Sequence, residues 1–223
     1  MIIGKGLIAS QFIDIDRKDV VFFASGVSNS SEKRQSEFDR EFNLIKDTID
    51  CNPNKIFIYF STCSIYDSSK YDSFYVLHKL KMEEFIKTNC SIFLILRISN
   101  AVGKGGNPNL LMNYLHRQIT NDNELVIHKN ATRNLIDVED VKNITMKYIE
   151  SNSINKIVNV AYPENFYILE IISAFEIILE KNSTKNFEDK GEHYSIDVHE
   201  LDYEFKQSNK HNYLNSLISK YYI

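Results

Sequence analysis

Ser61-Thr62-Cys63-Ser64-Ile65-Tyr66, followed after a short polar loop by Tyr75-Val76-Leu77-His78-Lys79, is the stretch on which the reading of this chain turns. The run before it, residues 56–60 (Ile-Phe-Ile-Tyr-Phe), is continuously apolar, as a strand buried on both faces requires. After it, Leu80, Met82, Phe85 and Ile86 alternate with Lys81, Glu83, Glu84 and Lys87 at helical spacing. The stretch therefore reads as strand, loop and helix. Tyr75 and Lys79, at i and i+4, share one helix face. A phenol alone is a poor base near neutrality, because its pKa is about 10. An ammonium one turn away favours the phenolate, so such a pair can exchange protons with a substrate hydroxyl or carbonyl. Thr62 falls at the C-terminal end of the strand, where open α/β sheets put their chemistry.

On either side of it, residues 20–24 (Val-Val-Phe-Phe-Ala) and 91–98 repeat the apolar-strand texture. Residues 37–49 place Phe38, Phe42, Ile45 and Ile49 on one helix face, and Asn52-Pro53-Asn54 ends that helix. Strands alternating with helices predict an α/β fold with a parallel sheet covered on both faces. At the start, residues 1–3 read as a very short strand. Gly4-Lys5-Gly6-Leu7-Ile8-Ala9 then fits G-x-G-x-x-A and opens a helix through Phe12. Only seven glycines occur in the chain, and glycine is needed where backbone must turn tightly or approach a pyrophosphate. The second strand of a dinucleotide-binding unit, ending in an acidic residue, is missing. Asp14, Asp16 and Arg17-Lys18 are candidates for its ribose contact, and none ends a strand. Ser25-Gly26 opens the loop after the next strand.

Beyond Arg97 the chain reads as a glycine-rich loop (100–109), a helix (110–118), a short strand (125–128) and a helix through Tyr148. A strand (156–160), an amphipathic helix (168–180), a polar linker (181–191) and a small closing element from Tyr203 follow. The expected division is a dinucleotide-binding core over 1–100 and a substrate-binding region over 101–223, interleaved with the last core strands. A net charge of −4 without a basic stripe argues against a nucleic-acid partner. No apolar run suits a bilayer, and the amino terminus does not resemble a secretory signal. Three cysteines without a C-x-x-C predict no metal site and reduced thiols in the cytoplasm.

In register, these pieces resemble the extended short-chain dehydrogenase/reductase family, the branch of NAD-dependent nucleotide-sugar epimerases, dehydratases and reductases. Ser61–Tyr66 is similar to the family's Ser-Ser/Thr-x-x-Val-Tyr segment, which puts Thr62 on the catalytic hydroxyl position. Tyr75 and Lys79 fall on the catalytic pair. Residues 39–43 resemble the helix that carries a structural Asn, implying that role for Asn43. Leu96-Arg97-Ile98-Ser99-Asn100 resembles the Leu-Arg-x-x-Asn strand end, and Arg133 with Asp137 resembles Arg-Asp-x-x-x-Val-x-Asp.

The resemblance implies a Rossmann-like fold, here shortened by its second and third strands, with a small C-terminal substrate-binding region. It implies NAD or NADP held by Gly4, Lys5, Gly6, Leu7, Ile8, Ser25, Gly26, Tyr75, Lys79, Ile98 and Ser99. A nucleotide-sugar would be held by Ser64, Asn100 and Arg133, the arginine fork matching phosphate oxygens. The dehydratases carry Asp and Glu after the catalytic Thr, whereas this chain has Cys63 and Ser64, so the expected reaction is epimerisation or 4-keto reduction. Surface-polysaccharide biosynthesis as the pathway, and a homodimer through the helices at 37–49 and 78–88, rest on the resemblance alone. The alternative is a binding or regulatory protein on the same scaffold, which the abbreviated adenosine half favours.

Overall fold

A computed structural model describes residues 1–15, 17–201, 205 and 209–223. Asp16 and the start of the closing element at Tyr203 lie outside the described residues. The chain divides into two compact units, Met1–Ile98 with Val138–Val160, and Ser99–Asp137 with Ala161–Ile223. The first unit runs through β1 (Ile2–Ile3), β2 (Val20–Phe23), α1 (Gln35–Cys51), β3 (Ile56–Thr62), α2 (Phe74–Asn89) and β4 (Phe93–Ile98). The second begins with β5 (Asn100–Val102), α3 (Leu111–Thr120), β6 (Leu125–His128), β7 (Thr132–Arg133) and β8 (Leu135–Asp137). The first resumes with α4 (Val138–Glu150) and β9 (Lys156–Val160). The second closes with β10 (Phe166–Tyr167), α5 (Ile168–Leu179), β11 (Lys185–Glu188) and a last helix, α6 (Lys210–Tyr222).

In the first unit one sheet takes the order β1-β2-β3-β4-β9, with every neighbouring pair parallel. All four residues of β2 are buried, which is why it reads as an unbroken apolar run. Alternate residues serve opposite faces. Val21, Phe23, Phe57, Tyr59 and Ile95 face Ile45 and Ile49 of α1 and Met82 and Ile86 of α2 in one core cluster. Phe12 stacks on Phe22 with ring centroids 4.4 Å apart. The Ser73 hydroxyl accepts from the Val76 amide at 3.2 Å, capping the start of α2 and fixing the turn that carries Tyr75.

β1 lies at the edge of this sheet, paired only with β2 among the described residues. In a doubly wound order the first strand is interior, with the second and third strands on its far side. Here the chain passes from Ile3 to Val20 directly, and no strand lies on that side among the described residues. The helix expected to open at the glycines is instead a four-residue 3-10 turn, Ala9–Phe12. The connection must return at once to β2, and a buried Phe12 ends it against the sheet.

Among the described residues, the second unit contains three two-stranded pairings: β5 with β8, β6 with β11 and β7 with β10. The last is antiparallel. The polar linker expected over 181–191 contains β11, aligned parallel to β6 from Lys185↔Leu125 to Glu188↔His128. Main-chain pairing creates that strand without an apolar signature. Tyr162 stacks on Tyr213 at 4.2 Å, and the Asp137 carboxylate accepts from Lys220 at 2.8 Å and Tyr221 at 2.6 Å. No helix among the described residues is long and apolar enough to cross a membrane.

Candidate active site

Thr62 is the last residue of β3, and its hydroxyl oxygen accepts from the Ser64 amide at 3.0 Å. That contact fixes the oxygen and leaves the hydroxyl proton to be donated. Cys63 is buried, with its thiol donating to the Arg97 carbonyl at 2.9 Å. Burial, opposed by backbone and Arg97 contributions, pushes that thiol up to about 12, so it stays protonated and packs as a small side chain. Beneath it Arg97 forms an ion pair with Glu83 at 2.6 Å, and the Ser61 hydroxyl donates to the same carboxylate at 2.6 Å. These contacts join the end of β3 to α2 and β4.

Tyr75 stands in the first turn of α2, 9% exposed and packed with Val27, Phe38 and Val76. Its hydroxyl makes no hydrogen bond among the described residues. Lys79 lies one turn along the helix, as the spacing predicts, with its ammonium 5.9 Å from the Tyr75 ring centroid. That ammonium is buried and donates to Glu41 Oε1 at 2.9 Å and to the Tyr59 hydroxyl at 3.1 Å. The Tyr59 hydroxyl in turn donates to Glu41 Oε1 at 2.6 Å. Glu41 Oε2 accepts from the Val27 amide at 2.7 Å and faces His78 Nε2 at 3.1 Å. Burial alone would raise the Glu41 carboxyl. The Lys79 charge, the hydrogen bonds from His78 and Tyr59, and the Val27 amide outweigh burial and hold it well below the carboxylate range. Burial first, and the Glu41 charge second, drive the Tyr59 phenol well above its ordinary value.

Sequence reasoning missed Glu41, Tyr59 and His78. A signal existed: on α1, Glu41 shares the inward stripe of Phe38, Ile45 and Ile49, and a charged residue on an apolar stripe needs a buried partner. Asn43, expected as the structural polar residue of this helix, stands on its exposed face; the inward polar contact comes from Glu41.

At the amino terminus Gly4 has φ +128°, and a Cβ there would lie 2.3 Å from the Ala24 carbonyl oxygen. Only glycine serves this turn. A Cβ on Gly6 would meet nothing within 4 Å, which leaves the backbone there open to approach. Lys5 is exposed, and Leu7 and Ile8 are half-buried. Gly26, in the loop after β2, is closely covered: a Cβ would lie 2.4 Å from Lys79 Nζ and 2.9 Å from Glu41 Oε1. The Ser25 carbonyl accepts from Arg40 at 3.1 Å. Ser64 is half-buried beside Thr62, and Ile98 is buried at the end of β4.

These residues fit the phosphate and nicotinamide side of a dinucleotide. The Gly4 turn, the open Gly6 and the Ser25-Gly26 loop follow the ends of β1 and β2, the C-terminal edge where such ligands bind. On the adenosine side, the described residues include no second strand and no acidic residue at a strand end. In the second unit the Ser99 hydroxyl is buried without a hydrogen-bond partner among the described residues. Asn100 is exposed, donating through Nδ2 to the Asn134 carbonyl at 2.7 Å, and it lines a small pocket with Gly103, Met112, Asn113 and Tyr222. Arg133 is half-buried and donates to the Thr132 carbonyl at 2.7 Å.

The model of the NAD dependent epimerase/dehydratase family matches residues 9–161, more than half of the chain. The chain belongs to this family. The fold expected of such an epimerase/dehydratase relative is present, and its parallel core carries Thr62, Tyr75 and Lys79 in the expected elements. Solved structures share the fold at low identity. The UDP-glucuronic acid 4-epimerase from Bacillus cereus, in complex with UDP-glucuronic acid and NAD, is 22% identical with a TM-score of 0.72, covering 96% of this chain and 76% of that one. The UDP-N-acetylglucosamine 4-epimerase from Methanobrevibacter ruminantium M1, in complex with UDP-N-acetylmuramic acid, is 18% identical with a TM-score of 0.73, covering 91% and 75%. RMD from Pseudomonas aeruginosa, complexed with NADPH, is 15% identical with a TM-score of 0.72, covering 91% and 80%. No curated protein matches the chain by sequence.

Proposed function

We propose that this epimerase/dehydratase family member binds NAD or NADP and acts on a nucleotide-linked sugar, as an epimerase or 4-keto reductase, in surface-polysaccharide biosynthesis. The observation that carries the reading is the Tyr75 hydroxyl, unpartnered among the described residues, in the capped first turn of the helix that follows Thr62. The bound dinucleotide would supply the hydride acceptor or donor. Tyr75 takes or returns the proton at the sugar oxygen. Thr62, its oxygen fixed by the Ser64 amide, donates to the same oxygen and orients it. The Gly4–Gly6 turn and the Ser25-Gly26 loop hold the dinucleotide. Asn100 and Arg133 are carried as substrate-holding residues on their sequence positions. Cys63, protonated and buried, is unsuited to acid/base work, which weighs against water elimination.

The test is a fluorescence titration with NADH and NADPH, followed by turnover with a panel of nucleotide-sugars. Saturable cofactor binding is expected. Tyr75→Phe is expected to lose about 100-fold or more in turnover, the usual scale of general acid–base catalysis, with cofactor affinity unchanged. Rates like those of the wild type in that variant overturn the mechanism. Failure of the folded wild-type protein to bind either cofactor favours the second reading, a non-catalytic binding protein. The edge position of β1 and the engagement of Lys79 by Glu41 supply its support.

A further inference from the structure

Glu41 is fully buried and has four partners on three separate elements: the Val27 amide in the loop after β2, Tyr59 on β3, and His78 and Lys79 on α2. A surface ion pair would need none of this. A buried carboxylate is tolerated only when its lone pairs are filled, and here each oxygen takes two of the four contacts. Lys79 is equally enclosed, 2% exposed, so its ammonium cannot turn outward without abandoning Glu41. Gly26 completes the arrangement. Its missing side chain leaves the space that Lys79 Nζ and Glu41 Oε1 occupy, 2.4 and 2.9 Å from where a Cβ would stand.

We infer that Glu41 is a positioning residue of this site, pinning the Ser25–Val27 loop onto α2 and fixing the Lys79 ammonium against Gly26. The inference rests on the proposed function in treating that loop and Lys79 as the floor of the dinucleotide site. Neither the resemblance nor the family match assigns Glu41 a role. The clamp joins the loop that would face the cofactor to the helix that carries Tyr75, so the two move as one body. It also gives Lys79 a fixed aim in place of the free swing of a long side chain.

Hydrogen exchange read by mass spectrometry on the full chain tests this, in the wild type, in Glu41→Gln, and in a paired variant, E41M with K79M. The single variant leaves an uncompensated buried ammonium and loses protection throughout the first unit. The paired variant leaves no lone buried charge and keeps the protection of β3 and β4. In it, the peptide spanning Ser25–Val27 exchanges at least about tenfold faster, the scale of one lost hydrogen bond to a charged group. Exchange of that loop at the wild-type rate in the folded paired variant overturns the inference. NADH titration of the paired variant against K79M alone gives a second readout: the paired variant binds more weakly than K79M, in which Glu41 still accepts from the Val27 amide, a difference that the loss of Lys79 itself does not produce. Equal affinity in those two variants overturns the positioning role. A wild-type protein that binds no cofactor overturns the proposed function instead, and the exchange data alone then decide the clamp.

Discussion

A side chain acts according to what surrounds it, and Cys63 and Lys79 illustrate this from opposite directions. Cys63 lies beside Thr62, the proposed catalytic threonine, yet its thiol is buried, donates to the Arg97 carbonyl and stays protonated. We expect native protein at neutral pH to be alkylated at the exposed Cys51 and spared at Cys63, with Cys63 reacting only after unfolding. Peptide mapping after iodoacetamide treatment checks this, and rapid native labelling of Cys63 would contradict its placement. Lys79 lies where the i, i+4 spacing puts it, but its ammonium is spent on Glu41 and Tyr59. A spacing rule selects the helix face of a residue. It does not select the partner that its charged end finds.

At the scale of elements, the amino-terminal turn is the most demanding. Gly4 combines a φ of +128° with a would-be Cβ 2.3 Å from the Ala24 carbonyl oxygen, so both conformation and space exclude a side chain. The obstacle is backbone and cannot swing away. Gly4→Ala is expected to cost about 1–3 kcal/mol, the usual scale of a forced backbone conformation, and to unseat β1 from β2. Urea unfolding and amide exchange at residues 22–24 measure it, and wild-type stability in the variant would show the turn to be tolerant. The fingerprint was legible because glycine is rare in this chain. The 3-10 turn after it was not, since the residues 7–12 suit a helix and only the short return to β2 forbids one. β11 was hidden for another reason: its polar residues carry no periodicity, and its partner β6 lies about sixty residues away in sequence.

Over the whole molecule, the depressed Glu41 carboxyl fixes how stability responds to acid. Its folded pKa lies below the ordinary value of 4.5, so the unfolded chain binds this proton first. The contribution is fully present above that value and is lost as pH falls through it toward the folded pKa. We expect the urea midpoint of the wild type to drop more steeply below pH 4.5 than that of E41M with K79M, with no such difference nearer neutrality. Equal slopes in the two proteins would show that Glu41 is not ionised through the pair.

Apolar runs and helical spacing suffice to place the family, the parallel core and the elements that carry Thr62, Tyr75 and Lys79, because they are local patterns that survive in any register of the fold. The shortening by the second and third strands was readable too, since few residues separate Ile3 from Val20, and no such strand lies there among the described residues. Packing between elements, invisible along the chain, sets what Lys79 binds, turns Asn43 outward and makes Gly26 a close-packing glycine. Each of these depends on residues from α1, the loop after β2, β3 and α2 converging on one buried point. Burial there makes every unfilled hydrogen bond costly, and so dictates the pairing of Glu41 with Lys79 that no spacing along the chain records.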